Sequence, residues 1–209
     1  MAYFNFNNAK IKAVAASVPD DVEYTTDYSE LFGEEYVRKF TISTGVKRRF
    51  TTHRLGVTAS DLCCAAAEKI LTELNYDRSK IDALIFTSSS RDYIQPVTAT
   101  ILQDRLGLGD DCMGYDVPLG CSAYVYGLYL ATMHINSGCR SVLLLAGSTG
   151  EQMPKGYVPS EIPMLFGNGG SATLLEHDEA AAPTYGLLRS MGRDFKMLAS
   201  PFSGQRHPF

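Results

Sequence analysis

Apolar and polar positions fall in short runs whose period switches between that of strands and that of helices. Residues 11–18 read as a first strand, closed by Pro19-Asp20-Asp21. Residues 27–40 read as a helical stretch interrupted at Gly33, followed by a loop at Ser43-Thr44-Gly45. Residues 58–74 predict a helix capped by Thr58 or Ser60, with Leu62, Ala66, Ile70 and Leu74 on one apolar face. Residues 81–88 are a continuous apolar run, as in a buried strand. Pro96 opens a helix that reaches Leu106 and is stopped by Gly107 and Gly109. A short strand over 114–119, a helix over 121–136 and a buried strand over 141–146 follow. Residues 165–175 hold a Gly-rich turn and then a strand, and 185–190 read as another strand. The pattern weakens after Arg193, and 201–209 read as loop.

Strands alternating with helices imply an α/β protein built from βαβ units on a mainly parallel sheet, with right-handed connections. The 121–136 helix narrows the architecture. It carries Tyr124, Val125, Tyr126, Leu128, Tyr129, Leu130, Met133 and Ile135, with no Asp, Glu, Lys or Arg. A helix without a polar face is expected to be buried on all sides. That points to a central helix layer between sheets.

Composition bounds the function classes. Hydrophobic residues make up 45% and charged residues 20% of 209, as in ordinary globular proteins. A net charge of -4 argues against nucleic-acid and anionic-membrane partners, which need clustered Lys and Arg. The one basic cluster, Lys47-Arg48-Arg49, reads as a solvated face, with a carrier phosphate as the alternative. The longest apolar stretch, 124–135, is shorter than the roughly 20 residues of a membrane span. No basic segment followed by an apolar run marks a signal peptide at the start. The 5 cysteines include no CxxC pair and no paired histidine spacing, so neither a disulfide framework nor a metal site is expected. Reduced thiols in a cytoplasmic protein fit this pattern.

The segment Gly114-Tyr-Asp-Val-Pro-Leu-Gly-Cys121-Ser-Ala-Tyr carries the clearest chemistry. A strand ends, Gly120 permits an abrupt turn, and Cys121 opens a helix. Unpaired N–H groups and the positive end of the helix dipole favour a thiolate there. The same N–H groups suit the oxyanion of a thioester under attack. A buried cysteine acting as a small hydrophobe is the competing reading. Cys63 and Cys64 lie mid-helix, and Cys112 and Cys139 lie beside loops leading into strands, so all four read as structural. Gly167-Asn168-Gly169-Gly170 lacks the context of a nucleotide-binding loop.

Cys121 and its flanks resemble the nucleophile motif of β-ketoacyl-ACP synthase III, where ACP is acyl carrier protein, a family of the thiolase superfamily. Three further segments agree in order and spacing. Ser43-Thr44-Gly45-Val46-Lys47-Arg48-Arg49 resembles the family's Thr-Gly-Ile-x-x-Arg loop. Residues 81–89 followed by 96–107, with Leu102-Gln103-Asp104-Arg105-Leu106-Gly107, resemble its strand and interface helix. Phe166-Gly167-Asn168-Gly169-Gly170-Ser171-Ala172 resembles its Phe-Gly-Asp-Gly-Ala-Gly-Ala turn.

The resemblance implies a thiolase-like fold, with residues 1–190 as its N-terminal half and 191–209 as the start of a connection to a second half. It implies a condensing acyltransferase of fatty-acid or polyketide-type synthesis, cytoplasmic and homodimeric, with the helix near 96–106 at the interface. On this resemblance Cys121 is expected to accept an acyl group from acyl-CoA or acyl-ACP and pass it to malonyl-ACP, without a cofactor. Thr44, Ser89, Gln95, Leu165 and Phe166 fall at the substrate. The family's His and Asn belong to the second half, and none of His53, His134, His177 and His207 falls in its His motif.

Ser43 and Ser160 stand where many members place coenzyme A-binding arginines, and Gln95 stands where a Phe often gates the primer pocket from the partner subunit. These departures favour an ACP-borne or unusual acyl donor. They also keep open a related acyltransferase making an ester or amide, and the absent His and Asn keep open a non-catalytic subunit.

Overall fold

The structure, a computed structural model, describes residues 2–52, 56–150, 162–197 and 199. In chain order its elements are β1 (Ala2–Phe6), β2 (Ala9–Ser17), β3 (Asp21–Tyr24), α1 (Ser29–Phe32), α2 (Glu34–Thr44), β4 (Arg48–Thr51), α3 (Ala59–Glu73) and β5 (Ile81–Thr87). There follow α4 (Thr98–Arg105), β6 (Met113–Val117), α5 (Ala123–Asn136), β7 (Ser141–Ser148), α6 (Ile162–Leu165), β8 (Gly169–His177) and β9 (Thr184–Leu188).

Five strands form the central sheet in the order β2-β8-β7-β5-β6. The pairings β7–β5 and β5–β6 are parallel, whereas β8 is antiparallel to both its neighbours. The sheet is therefore mixed, where the βαβ pattern predicted a mainly parallel one. β8 starts at the edge where β7 ends, with Gly169 opposite Ser148. An antiparallel neighbour needs no crossover helix.

Strand side chains alternate between faces, and this builds two apolar layers. Leu84, Phe86, Leu143, Leu145, Ala172 and Leu174 pack against α3 and α4. Ala83, Ile85, Val142, Leu144 and Leu175 pack against α5. Burying each of the large side chains contributes about 1.5–3 kcal/mol. That outweighs the few tenths at stake in helix propensity. Two glycines set the closest approaches. A Cβ on Gly127 of α5 would lie 2.5 Å from Leu144 Cδ1, and one on Gly170 of β8 would lie 2.5 Å from the backbone nitrogen of Cys63.

α3 is capped by Thr58: its Oγ1 accepts from the Asp61 N–H at 3.3 Å, and the Asp61 carboxylate accepts from the Thr58 N–H at 2.9 Å. Ser60 is buried instead and donates to Asp92. Leu74 lies just past the helix end and is 42% exposed, so it does not extend the buried face. Gly33, at φ +87, breaks the 27–40 stretch into α1 and α2, and α2 runs on through Ser43 and Thr44 to a left-handed cap at Gly45.

Three strands escaped the apolar pattern. β3 and β4 are four residues each and rich in charge, and among the described residues they pair only with each other. β1 pairs with β9, and its Phe4 and Phe6 rings stack near Tyr129 of α5, with centroids at 4.7 and 5.8 Å.

The burial of α5 is one-sided among the described residues. Ala123, Gly127, Ala131, Thr132 and Ile135 are buried against the sheet, while Val125 is 53% exposed. No described helix is long and apolar enough to cross a membrane.

Candidate active site

The ends of β5, β6 and β7 and the start of β8 meet at one edge of the sheet. The Ser88 N–H, just after β5, donates to the Val117 carbonyl at the end of β6 (3.3 Å). The Thr149 N–H, just after β7, donates to Ser90 Oγ (3.0 Å). Crevices outside the carboxyl ends of parallel strands are where open α/β sheets bind ligands.

Cys121 lies at this edge, in the turn between β6 and α5. α5 begins two residues later, at Ala123, whose N–H closes the turn on the Gly120 carbonyl (2.9 Å). Cys121 thus precedes the helix rather than opening it. Ser122, the N-cap, makes no side-chain capping bond. The N–H groups of Cys121 and Ser122 find no partner among the described residues. An uncapped helix start with spare donors beside an exposed sulfur can hold a developing oxyanion.

Exposure separates Cys121 from the other thiols. It is the one exposed cysteine. Burial pushes the Cys63 thiol up to about 12 and Cys112 up to about 11. Burial raises Cys64 and Cys139 as well. A buried thiol that resists ionisation is a poor nucleophile.

Leu165 and Phe166 enter the same edge ahead of β8, and both are exposed. The Phe166 carbonyl accepts from Arg49 Nη1 at 3.0 Å. Arg49 Nη2 also donates to the Tyr28 hydroxyl at 2.6 Å and to Glu23. Arg49 is buried, so the basic cluster of the sequence is not a solvated face throughout. Asn168, buried as well, joins three segments. Its N–H donates to the Phe50 carbonyl (2.9 Å), its amide donates to Thr52 Oγ1 (2.8 Å), and its Oδ1 accepts from the Gly150 N–H (2.7 Å).

Of the remaining predicted residues, Ser89 shares this edge, whereas Gln95 and Thr44 lie on other segments. Ser89 is exposed at the end of β5. Gln95 is exposed on the segment between β5 and α4, beside Tyr93 and Ile94, which are 61% and 83% exposed. Thr44 is exposed at the end of α2, and its hydroxyl donates to the Phe40 carbonyl of its own helix (2.8 Å). No hydrogen bond links Thr44 or Gln95 to Cys121 among the described residues. His53, Ser160 and His207 lie outside the described residues. His134 contacts the Tyr115 hydroxyl (2.8 Å) and lies on α5 roughly 20 Å beyond Cys121 by helical rise. Burial lowers its pKa. A concavity of about 480 Å³ at the far end of α5, lined by Asn8, Ile135, Cys139, Arg140 and His177 among others, is remote from Cys121. Among the described residues no cluster of His, Cys, Asp and Glu is placed to hold a metal.

The sequence reading passed over Asp116. Its carboxylate, on β6, accepts the N–H groups of Thr98 (2.9 Å) and Ala99 (2.8 Å) at the start of α4. An acidic residue within an otherwise apolar strand segment was the available signal.

A mixed sheet thus carries an exposed cysteine at a strand-to-helix turn. The family model for 3-oxoacyl-[acyl-carrier-protein (ACP)] synthase III matches residues 115–191. A crystal structure of a 3-oxoacyl-(acyl-carrier protein) synthase from Burkholderia xenovorans LB400 superposes with a TM-score of 0.91 and 32% identity, over 98% of this chain and 58% of that one. A β-ketoacyl-[acyl-carrier-protein] synthase III of Neisseria meningitidis is 29% identical over 92% of this chain and 60% of its own length. The OleA protein of Xanthomonas campestris superposes with a TM-score of 0.71 and 27% identity, over 83% of this chain and 60% of that one. The chain is similar to the β-ketoacyl-ACP synthase III-like condensing enzymes of the thiolase superfamily. It spans about three fifths of the length of these relatives.

Proposed function

We propose that the whole protein is a condensing acyltransferase of fatty-acid or polyketide-type synthesis and that Cys121 is its acyl carrier. The Cys121 thiolate attacks the carbonyl of an acyl thioester, and the donor thiol leaves. Malonyl-ACP then loses CO2, its carbanion attacks the Cys121 thioester, and the thiolate is released. The observation carrying this reading is the single exposed cysteine at the uncapped start of α5, on the edge shared with Ser89, Leu165 and Phe166. The described residues bring no histidine to Cys121, so the groups that stabilise the enolate come from outside them.

An acyl carrier protein is the proposed partner, a homodimer the proposed assembly and the cytoplasm the proposed compartment. The reaction as written needs no cofactor. Thr44 and Gln95 are assigned to the substrate on the family resemblance. Intact mass before and after incubation with acetyl-CoA and short acyl-ACPs tests the reading. An acyl adduct absent from Cys121→Ser supports it, and the donor that works names the primer class. No adduct from any donor would overturn it in favour of a non-catalytic subunit. Loading followed by transfer to an alcohol or amine, without CO2 release from malonyl-ACP, would replace condensation with ester or amide formation.

A further inference from the structure

Residues 21–51 stand apart from the two apolar layers of the sheet. Among the described residues, neither layer includes one between Ser17 and Ala59. β3, the 3-10 turn Thr25–Tyr28, α1, α2 and β4 pack mainly on one another. The ties inside this unit are polar. The Thr25 N–H donates to the Lys47 carbonyl (3.1 Å), the Thr25 and Thr41 hydroxyls lie 3.2 Å apart, and the Tyr28 hydroxyl donates to Glu23 (2.9 Å) beside Arg49. Val37 is the one buried apolar side chain of the unit, whereas Leu31 and Ile42 are 55% and 70% exposed. Parts of a fold with few buried apolar contacts are those that open at low free energy.

The unit leaves and rejoins the body side by side, because Asp21 and Thr51 are cross-strand partners. A segment with adjacent ends can swing without stretching the chain. Its fastening lies beside that point, on the turn ahead of β8. The Phe166 carbonyl accepts from Arg49 Nη1 (3.0 Å), the Phe50 carbonyl accepts from the Asn168 N–H (2.9 Å), and Thr52 Oγ1 accepts from the Asn168 amide (2.8 Å). Gly167 lets the two meet: a Cβ there would lie 3.3 Å from both Arg49 Cβ and the Phe50 carbonyl oxygen. Asn168 Oδ1 accepts the Gly150 N–H just past β7 (2.7 Å), which ties the turn itself to the edge that holds Cys121.

We infer that residues 21–51 form a flap that swings as one body on its paired ends, and that the Phe166-Gly167-Asn168 turn is the clasp that holds it closed at the Cys121 edge. The clasp is polar, so opening exchanges hydrogen bonds within the protein for hydrogen bonds to water. The Glu23–Arg49–Tyr28 cluster lies wholly within the flap and travels with it, which keeps the flap folded when it opens. The inference is independent of the chemistry assigned to Cys121.

The test reads the distance between flap and edge in the full-length protein by pulsed electron spin resonance. One spin label is placed on Cys121 and the other on α2 through Ile42→Cys, in a Cys139→Ser background. Labelled protein is diluted into unlabelled protein, so that only distances within one chain are read. The parent should give one dominant distance. Thr52→Val keeps the side-chain shape and removes one clasp bond, and is expected to raise the population at a second distance severalfold. Asn168→Ala is expected to raise it on the order of tenfold, as for the loss of two weak hydrogen bonds. Hydrogen exchange in β5 and β7 should be unchanged in both variants, since the central sheet takes no part. A distance distribution that neither variant alters would overturn the inference. A shift matched by equally faster exchange in β5 and β7 would overturn it as general loosening. A featureless spread in place of a second distance would overturn it as melting rather than swinging.

Discussion

Arg49→Met removes a guanidinium and keeps most of its volume. The Arg49 side chain is 6% exposed and Glu23 is 25% exposed. The lost bonds run to Glu23, to the Tyr28 hydroxyl at 2.6 Å and to the Phe166 carbonyl at 3.0 Å, and the guanidinium also lies 5.9 Å from the centre of the Tyr28 ring. Removing one partner of a buried ion pair costs about 3–5 kcal/mol, because the other charge is left uncompensated. Glu23 keeps some water, which lowers the expected loss to about 2–4 kcal/mol. In a chain of this size each kcal/mol moves Tm by roughly 2–4 °C, so a fall of about 4–16 °C follows. The assay is urea unfolding followed by circular dichroism, with an unchanged slope establishing that only stability has moved. A second consequence is local. Without Arg49 the Phe166 carbonyl loses its anchor, so acyl loading of Cys121 should slow while alkylation of its thiol does not. A loss below about 1 kcal/mol would refute the reasoning, because it would mean that desolvating Arg49 cancels the bonds it makes. Glu23→Met combined with Arg49→Met should recover part of the loss, since the uncompensated charge is then gone.

Thiol labelling near pH 8 followed by peptide mapping should modify Cys121 first and half-buried Cys139 more slowly, and leave Cys63 and Cys112 unlabelled. Early labelling of Cys63 would contradict its burial and its raised pKa of about 12. Gly170→Ala should destabilise by about 1–3 kcal/mol, because the new Cβ meets the backbone of Cys63 and Leu62 at 2.5 and 2.6 Å and backbone cannot rotate away. A variant with wild-type urea midpoint would count against this packing. Hydrogen bonds from Arg78 hold Glu68 below its ordinary pKa of 4.5, and those from Arg140 hold Asp82 below its ordinary 3.8. Depressed carboxylates stabilise above those ordinary values and lose that contribution as pH falls through the lower folded ones. Asp82→Asn should therefore flatten the acid limb of the stability profile below about pH 4, and an unchanged limb would show that this pair contributes nothing.

The central sheet was legible because its signals are local. The strand over 81–88 and the helix over 58–74 carry continuous apolar runs and a capping pair, and the structure places β5 and α3 there within a residue or two. β3 and β4 were not legible. Their residues are Asp-Val-Glu-Tyr and Arg-Arg-Phe-Thr, and what makes them strands is their pairing across more than twenty intervening residues. Helix α5 shows the same divide within one element. Its lack of charge was visible, and the contact that places it on the sheet was not. Gly127 brings the helix down onto Leu144 and Thr87, and a glycine in an apolar run gives no hint of what it approaches.

The site divides in the same way. Cys121 is legible as a candidate because glycine, cysteine and a following apolar helix are contiguous. Asp116 was equally close in sequence and was passed over, since its meaning lies in two N–H groups 17 and 18 residues away. Arg49 was read as part of a solvated cluster because its neighbours Lys47 and Arg48 are solvated. The strand parity of β4 turns Arg49 inward instead, where Glu23 on the paired strand β3 sits directly opposite it in register. A charged residue in a short strand takes its role from which face it occupies, and that face is set by register. The candidate nucleophile at this edge can thus be read from its neighbours along the chain, whereas the residues that hold the edge in place are defined by neighbours across the sheet.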